Sequence, residues 1–375
     1  VKDNTMNKYI KYLTSAICLA SLLIQPSCSD SDGEGEFEWT GSQNPENTSY
    51  RNPVWEPSLA GGTVFKSASS FNAISQETQW ATGLDYACPS LQSSDLMNWS
   101  TNQQAFSYPV ENVNAETGET VIEPGSRPEW ITGEINQVSA DFARTLAGAN
   151  YWMLYSCDAD NAFGAATAPS GLGPYTDLGC FLSADDLGVS SLRYPHFSVI
   201  ASTNYYLGYT TENGSYLQAL TLRKGNKPTL KGSPDQVSGA GFSNICIFRL
   251  DKDNFYLFGT VTNGNSTEIR YGKASKVTGP YLDKNGNELT SGASNGELLV
   301  KDGLEYVNPE NPMRLFESEN GYYYLAYNAT DASRKLMPSG YERKPLFLDP
   351  LQMDEDGWFT TVTFPSVGWT TPRYQ

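Results

Sequence analysis

From about residue 50 onward, short apolar-aromatic runs alternate with polar turns, and no stretch sustains the 3.6-residue period of an amphipathic helix. Runs of this length, bounded by Gly, Asn and Asp clusters, read as β-strands. One run recurs in degenerate form. Asn150-Tyr151-Trp152-Met153-Leu154-Tyr155-Ser156 is echoed by Asn204-Tyr205-Tyr206-Leu207-Gly208-Tyr209-Thr210, then by Asn254-Phe255-Tyr256-Leu257-Phe258-Gly259-Thr260 and Gly321-Tyr322-Tyr323-Tyr324-Leu325-Ala326-Tyr327. The copies stand about 50 to 70 residues apart. One strand signature at that interval predicts a propeller built of similar blades. Four copies plus an N-terminal unit around Val64-Phe65 predict an all-β, five-bladed β-propeller over residues 51–375. A β-sandwich is the alternative, but it does not repeat one motif so evenly.

Composition agrees with a β protein. The chain has 375 residues, 33 of them Gly and 23 Tyr, and only 18% are charged, which suits a pleated, half-buried architecture better than a helical one. The first 27 residues stand apart as a candidate export signal. After Met6, Lys8 and Lys11 form a positive region, and Leu13 to Ile24 is a short apolar run, too short to span a bilayer comfortably. Ser27-Cys28 follows, resembling a bacterial lipoprotein cleavage site with Cys28 as the lipidated residue. Ser29-Asp30-Ser31-Asp32-Gly33-Glu34 resembles the acidic tag of surface lipoproteins of Bacteroidetes. Residues 28–50 then read as a flexible acidic tether, and the expected location is the outer membrane or cell surface, held by lipid alone. An ordinary secreted protein is the alternative.

The first 27 residues carry a charge of +2 from three lysines and one aspartate, so the remainder carries about −19 against −17 for the whole. Such an acidic surface argues against nucleic acid and anionic lipid, and fits a neutral polysaccharide or oligosaccharide. Beyond the signal, Cys88, Cys157, Cys180 and Cys246 form no C-x-x-C pair, so a zinc site is not expected. They are open to disulfide pairing in an exported chain or to burial as free thiols. The single histidine, His196, follows Tyr194-Pro195 at the head of a strand and reads as structural.

Several motifs together resemble the family 43 glycoside hydrolases. Trp55-Glu56-Pro57-Ser58-Leu59-Ala60 with Thr63-Val64-Phe65 resembles their first blade, and Ser94-Asp95-Leu96-Met97-Asn98-Trp99 a strand-and-turn of theirs. Phe163 to Ala168 with Gly173-Pro174-Tyr175 looks like another family segment, repeated at Thr278-Gly279-Pro280-Tyr281. Arg343 to Leu348 and Asp354-Glu355-Asp356-Gly357-Trp358 resemble the last blade. The resemblance implies a five-bladed propeller with a sugar pocket on its axis, cleaving arabinose- or xylose-containing glycans with inversion. That chemistry needs a general base and a general acid about 6.5–9.5 Å apart, and a third acid to tune the second.

Carried over position by position, the resemblance finds little of that set. The base position reads Gly61-Gly62 and the acid position Ser243-Asn244. The tuning acid matches Glu134, the one acid of the family pattern that survives. No cofactor is expected; the resemblance leaves a central calcium open, but the histidine linked to it in the family reads Asn311. Asn328 replaces a second family position, and Arg343 matches an arginine that reaches substrate. Glu56, Asp158, Asp160 and Glu310 are candidate stand-in acids, each also readable as a turn or cap residue. The expectation is a glycan-binding surface lipoprotein with reduced or no hydrolase activity, binding through Ser243, Asn244, Asn311, Asn328 and Arg343. The alternatives are an active arabinosidase- or xylosidase-class enzyme with relocated carboxylates, and a protein-interaction scaffold.

Overall fold

The computed structural model describes residues 50–361 apart from 68–69, 115–116, 133–137, 147–149, 202–203, 293–294 and 319–322, together with the short strands Glu38–Trp39 and Trp369–Thr370. The signal and lipidation site expected at 1–28 lie outside these residues, as do Glu134 and Tyr322.

Five sheets follow one another along the chain, each built of four antiparallel strands in sequence order, and the last is extended by Glu38–Trp39, which pairs parallel to its first strand. Blade I comprises Thr63–Lys66, Phe71–Ile74, Pro89–Ser93 and Trp99–Gln104. Blade II runs Val138–Leu146, Asn150–Cys157, Ala162–Ala168 and Thr176–Ser183. Arg193–Ala201, Asn204–Thr211, Gly214–Thr221 and Thr229–Gly239 make blade III. Phe242–Arg249, Phe255–Asn263, Ser266–Ala274 and Glu297–Val300 make blade IV. Tyr306–Ser318, Tyr323–Asp331, Leu346–Met353 and Phe359–Thr361 complete blade V. The first strand of each blade packs on the first strand of the next, I on II round to V on I. That closed ring is the five-bladed propeller expected from the repeat.

The repeated aromatic run is the second strand of blades II to V. A second strand has a blade partner on each edge and a neighbouring blade on each face. It is therefore apolar almost throughout rather than alternating: every residue of Tyr323–Asp331 is buried. The core is correspondingly divided into five apolar clusters among the described residues, one at each blade interface. Eight tyrosines, Tyr155 and Tyr256 among them, rank with the largest fully buried side chains. Much of the tyrosine among the described residues is thus core.

The ring closes through the segment after Tyr50. Asn52 pairs with the backbone of Leu348 in both directions, at 3.1 and 2.9 Å, and Val54 N–H donates to Leu346 O at 2.8 Å. This stitches the entry to blade I onto the third strand of blade V. The two Gly-Pro-Tyr segments take up one structure twice, between the third and fourth strands of blades II and IV. Gly173 and Gly279 both have positive φ (94° and 83°). The buried Tyr175 and Tyr281 hydroxyls each donate to a carbonyl four residues back, Gly171 at 3.0 Å and Val277 at 2.7 Å. All four cysteines in the described residues are free thiols. His196 is buried, and its Nε2 accepts the Ile247 N–H at 3.3 Å, tying the inner strands of blades III and IV.

Candidate axial site

Each inner strand enters the ring at the same end, and those of blades II, III and IV begin with the same bulge, in blade II between Ser139↔Ser156 and Phe142↔Leu154. In blade III the pairing Arg193↔Thr210 skips to His196↔Gly208, and in blade IV Ser243↔Thr260 skips to Cys246↔Phe258. Blade V has a wider irregularity, skipping from Glu310↔Asn328 to Arg314↔Ala326. Tyr194, Asn244 and Asn311 sit just inside these bulges with φ of 57°, 48° and 53°. Asparagine tolerates that left-handed geometry, whereas a tyrosine there is uncommon. In blade I, Gly61 (φ 49°) stands just before the inner strand.

Hydroxyls of the preceding blade cap two of the bulges. Asn244 N–H donates to Thr210 Oγ1 at 3.2 Å, and Asn311 N–H to Thr260 Oγ1 at 3.0 Å. The side chains then join across the ring. Asn244 Nδ2 donates to Asn311 Oδ1 at 3.0 Å, and Asn311 Nδ2 donates to Gly62 O and to Asn328 Oδ1, both at 3.0 Å. Asn328 Nδ2 donates to the carbonyls of Lys344 (3.2 Å) and Pro345 (3.1 Å). Four of the five binding residues read from the sequence therefore gather at one place, since Ser243 adjoins Asn244 and donates to Thr260 O at 3.3 Å. Asn311 and Asn328 are buried with both amide protons and the carbonyl engaged. Ser243 and Asn244 are half-buried, and Asn244 Oδ1 has no partner among the described residues.

Arg343, next to Lys344, forms the adjoining rim. Its Nη2 bonds Glu56 Oε1 at 2.8 Å, while its buried Nε lies 3.8 Å from Asp331 Oδ2 and has no hydrogen bond. The guanidinium thus keeps donors in reserve. Beside it, Lys344 Nζ contacts Glu310 at 2.6 Å and Glu342 at 2.9 Å. Burial works against the Lys344 charge, but the two carboxylates outweigh it and hold its pKa well above the usual lysine value.

The stand-in acids are all tied to partners. Glu56 binds Arg343, and Glu310 binds Lys344. Asp158 lies 3.1 Å from Arg193 Nε, and Asp160 accepts from the Thr132 N–H and from Cys157 Sγ. The base position is not merely empty of a carboxylate. A Cβ on Gly61 would lie 2.5 Å from Gln76 Oε1 and 2.6 Å from Ser139 Oγ, and one on Gly62 would meet the carbonyls of Ile74 and Leu59 at 2.7 and 2.8 Å. Gln76 and Ser139 fill that space, and sequence alone gave no sign of either.

A central calcium needs about six to eight oxygen ligands, commonly carboxylates. The amides around Asn311 offer a carbonyl oxygen already engaged by Asn244. Among the described residues no cluster of three His, Cys, Asp or Glu could hold a metal ion. Among these residues the mouth thus lacks the group of carboxylates that a calcium commonly takes.

Comparison with known proteins places the chain. It is 23% identical over 327 residues to the extracellular endo-alpha-(1->5)-L-arabinanase 2 of Bacillus subtilis, covering 75% of this chain and 67% of that protein. The corresponding Thermotoga petrophila arabinanase is 21% identical over 332 residues, covering 75% and 68%. Its homologues are family 43 arabinanases. The same fold is seen in the Cellvibrio cellulosa alpha-L-arabinanase complexed with arabinohexaose, with a TM-score of 0.61 at 17% identity, covering 81% of this chain and 95% of that one. No family model matches. Within the shared fold, this propeller has an amide and hydroxyl cluster at the ring mouth where the resemblance called for a base and an acid.

Proposed function

We propose that this chain binds a neutral pentose glycan of the arabinan or xylan type at the axial mouth and leaves it uncut. The observation that carries the reading is Gly61, which has no side chain and where even a Cβ would press on the Gln76 amide oxygen and the Ser139 hydroxyl, so that a carboxylate would have to displace them. Ser243 at the acid position is a hydroxyl, which can donate a hydrogen bond but is far too weak an acid to protonate a leaving oxygen near neutral pH. Loss of either catalytic group typically costs about 10²–10⁴ in rate. The arabinohexaose bound by the Cellvibrio relative supports an arabino-oligosaccharide as ligand. Sugar hydroxyls would pair with Asn244 Oδ1, Ser243 Oγ and the unused Arg343 donors, while Asn311 and Asn328 hold the rim in place.

Calorimetric titration of residues 29–375 with arabinan, arabinoxylan and xylan oligosaccharides tests this binding. Affinity is expected to fall at least about tenfold in Arg343→Gln or Asn244→Leu and to be unchanged in Glu134→Gln. Full affinity in both rim variants would defeat the axial reading. A working hydrolase with relocated acids would have to draw on Glu134 or on Glu56, Glu310, Asp158 and Asp160, the last four already held by partners.

Export and attachment to the cell surface through Cys28 belong to the same proposal, supported by the extracellular relatives. Cys28→Ser should move the protein from the membrane fraction to the soluble one; a chain that stays behind has another anchor.

A further inference from the structure

A second concavity lies on the same face as the axial mouth but on the outer part of blade I. Strands alternate in direction, so the end of the fourth strand, at Gln104, returns to the face where the inner strand starts. The fourth strand is three strand spacings, roughly 14 Å, from the first. Here a cleft of about 430 Å³ opens between that strand and the hairpin Thr78–Ala81/Leu84–Tyr86, within the range of small-ligand sites. It shares no residue with the axial cluster.

The lining is aromatic on one side and polar on the other. Trp80 and Tyr86 pack together with ring centroids 5.1 Å apart, and Trp55 supports Trp80 from behind at 5.6 Å. Trp80 Nε1 donates to Ser58 O at 3.1 Å, which fixes the indole plane before any ligand arrives. Across the cleft, Gln104 Oε1 accepts the Ala87 N–H at 2.6 Å. That bond orients the amide and leaves its NH2 without a partner among the described residues. Gln103 and Thr101 are exposed and likewise uncommitted. None of the lining residues carries a charge, on a chain with 42 acidic residues.

We propose that this cleft is a second glycan-binding site. A sugar ring lays its C–H face on the Trp80–Tyr86 pair, and its hydroxyls pair with Gln104, Gln103 and Thr101. An uncharged cleft on so acidic a surface selects a neutral oligosaccharide over an anionic one, which electrostatic repulsion disfavours, and over a cation, which finds no ligand there. The proposal rests on the reading of the chain as a glycan binder but not on the axial site being the binder.

Titration of residues 29–375 with α-1,5-arabinohexaose and with xylohexaose tests it, using Tyr86→Ala and the surface substitution Gln103→Glu, each first checked for an unchanged melting profile. Two equivalents are expected for the unmodified chain, one of which weakens at least about tenfold in either cleft variant and persists in Arg343→Gln. If the cleft variants bind like the parent and only Arg343→Gln weakens binding, the cleft is not a site. If only the cleft variants weaken binding, the axial reading fails and the cleft stands. If neither sugar binds the parent chain, both proposals fall.

Discussion

Replacing Arg127 by alanine is expected to destabilise the propeller by about 3–5 kcal/mol, the usual cost of stranding one member of a buried ion pair. The Glu77 side chain is fully buried, and Arg127 Nε and Nη2 reach its two oxygens at 2.6 and 3.2 Å. The pair pins the long connection between blades I and II onto blade I. With Arg127 gone, the carboxylate keeps its desolvation cost and loses its partner. Removing both charges, in Glu77→Leu with Arg127→Met, should recover most of the loss, because the penalty belongs to the uncompensated charge. Denaturant titration of the three proteins decides it. A loss below about 1 kcal/mol for Arg127→Ala, the range of exposed pairs, would show that water reaches Glu77.

A pH dependence of comparable size is expected from Asp349. Its carboxyl is fully buried on the third strand of blade V, and burial raises its pKa to about 7 against the ordinary 3.8. Hydrogen bonds from Tyr327 Oη and Asn52 Nδ2, both 2.6 Å, offset only part of that. Between about pH 4 and pH 7 the folded chain therefore keeps a proton that the unfolded chain has released. Its stabilising contribution is complete below pH 4 and is lost as pH rises through 7, to a total of about 4 kcal/mol. Asparagine has the shape and polarity of the protonated acid. The difference in stability between Asp349→Asn and the parent should accordingly grow in the variant's favour from pH 4 to pH 8. A constant difference across that range would mean that Asp349 ionises freely in the fold. Because Asn52 and Asp349 join the segment entering blade I to blade V, the ring closure is where this pH sensitivity resides.

The propeller was legible because its strongest signal is local. A strand enclosed on both faces must be apolar along its whole length, and four such strands survive as a visible repeat. Blade I broke the pattern since its second strand, Phe71–Ile74, has only four residues; only its inner strand at Val64-Phe65 stood out. The axial residues Ser243, Asn244, Asn311 and Asn328 were legible as replacements within a resembling pattern, and the fold does bring them together. What filled the vacated space was not legible. Gln76 and Ser139 reach Gly61 from different parts of the chain, and Lys344 reaches Glu310 from 34 residues away. Such pairings are set by blade docking, which leaves no local trace. The left-handed bulge at Tyr194 was hidden for a related reason, since a tyrosine gives no hint of positive φ where an asparagine does. The aromatic pair best placed to meet a sugar, Trp80 and Tyr86, lies in a hairpin that no repeat announces.

An axial mouth that holds a neutral glycan without a working acid and base should leave that glycan uncut. The most direct test is a single-turnover incubation of α-1,5-arabinohexaose with excess residues 29–375 at neutral pH, with the sugar analysed after binding has been verified in the same solution. Bound hexaose should be recovered intact over hours. Shorter arabino-oligosaccharides appearing at a rate abolished by Glu134→Gln or Glu310→Gln would contradict it and place a working carboxylate at the mouth of this ring.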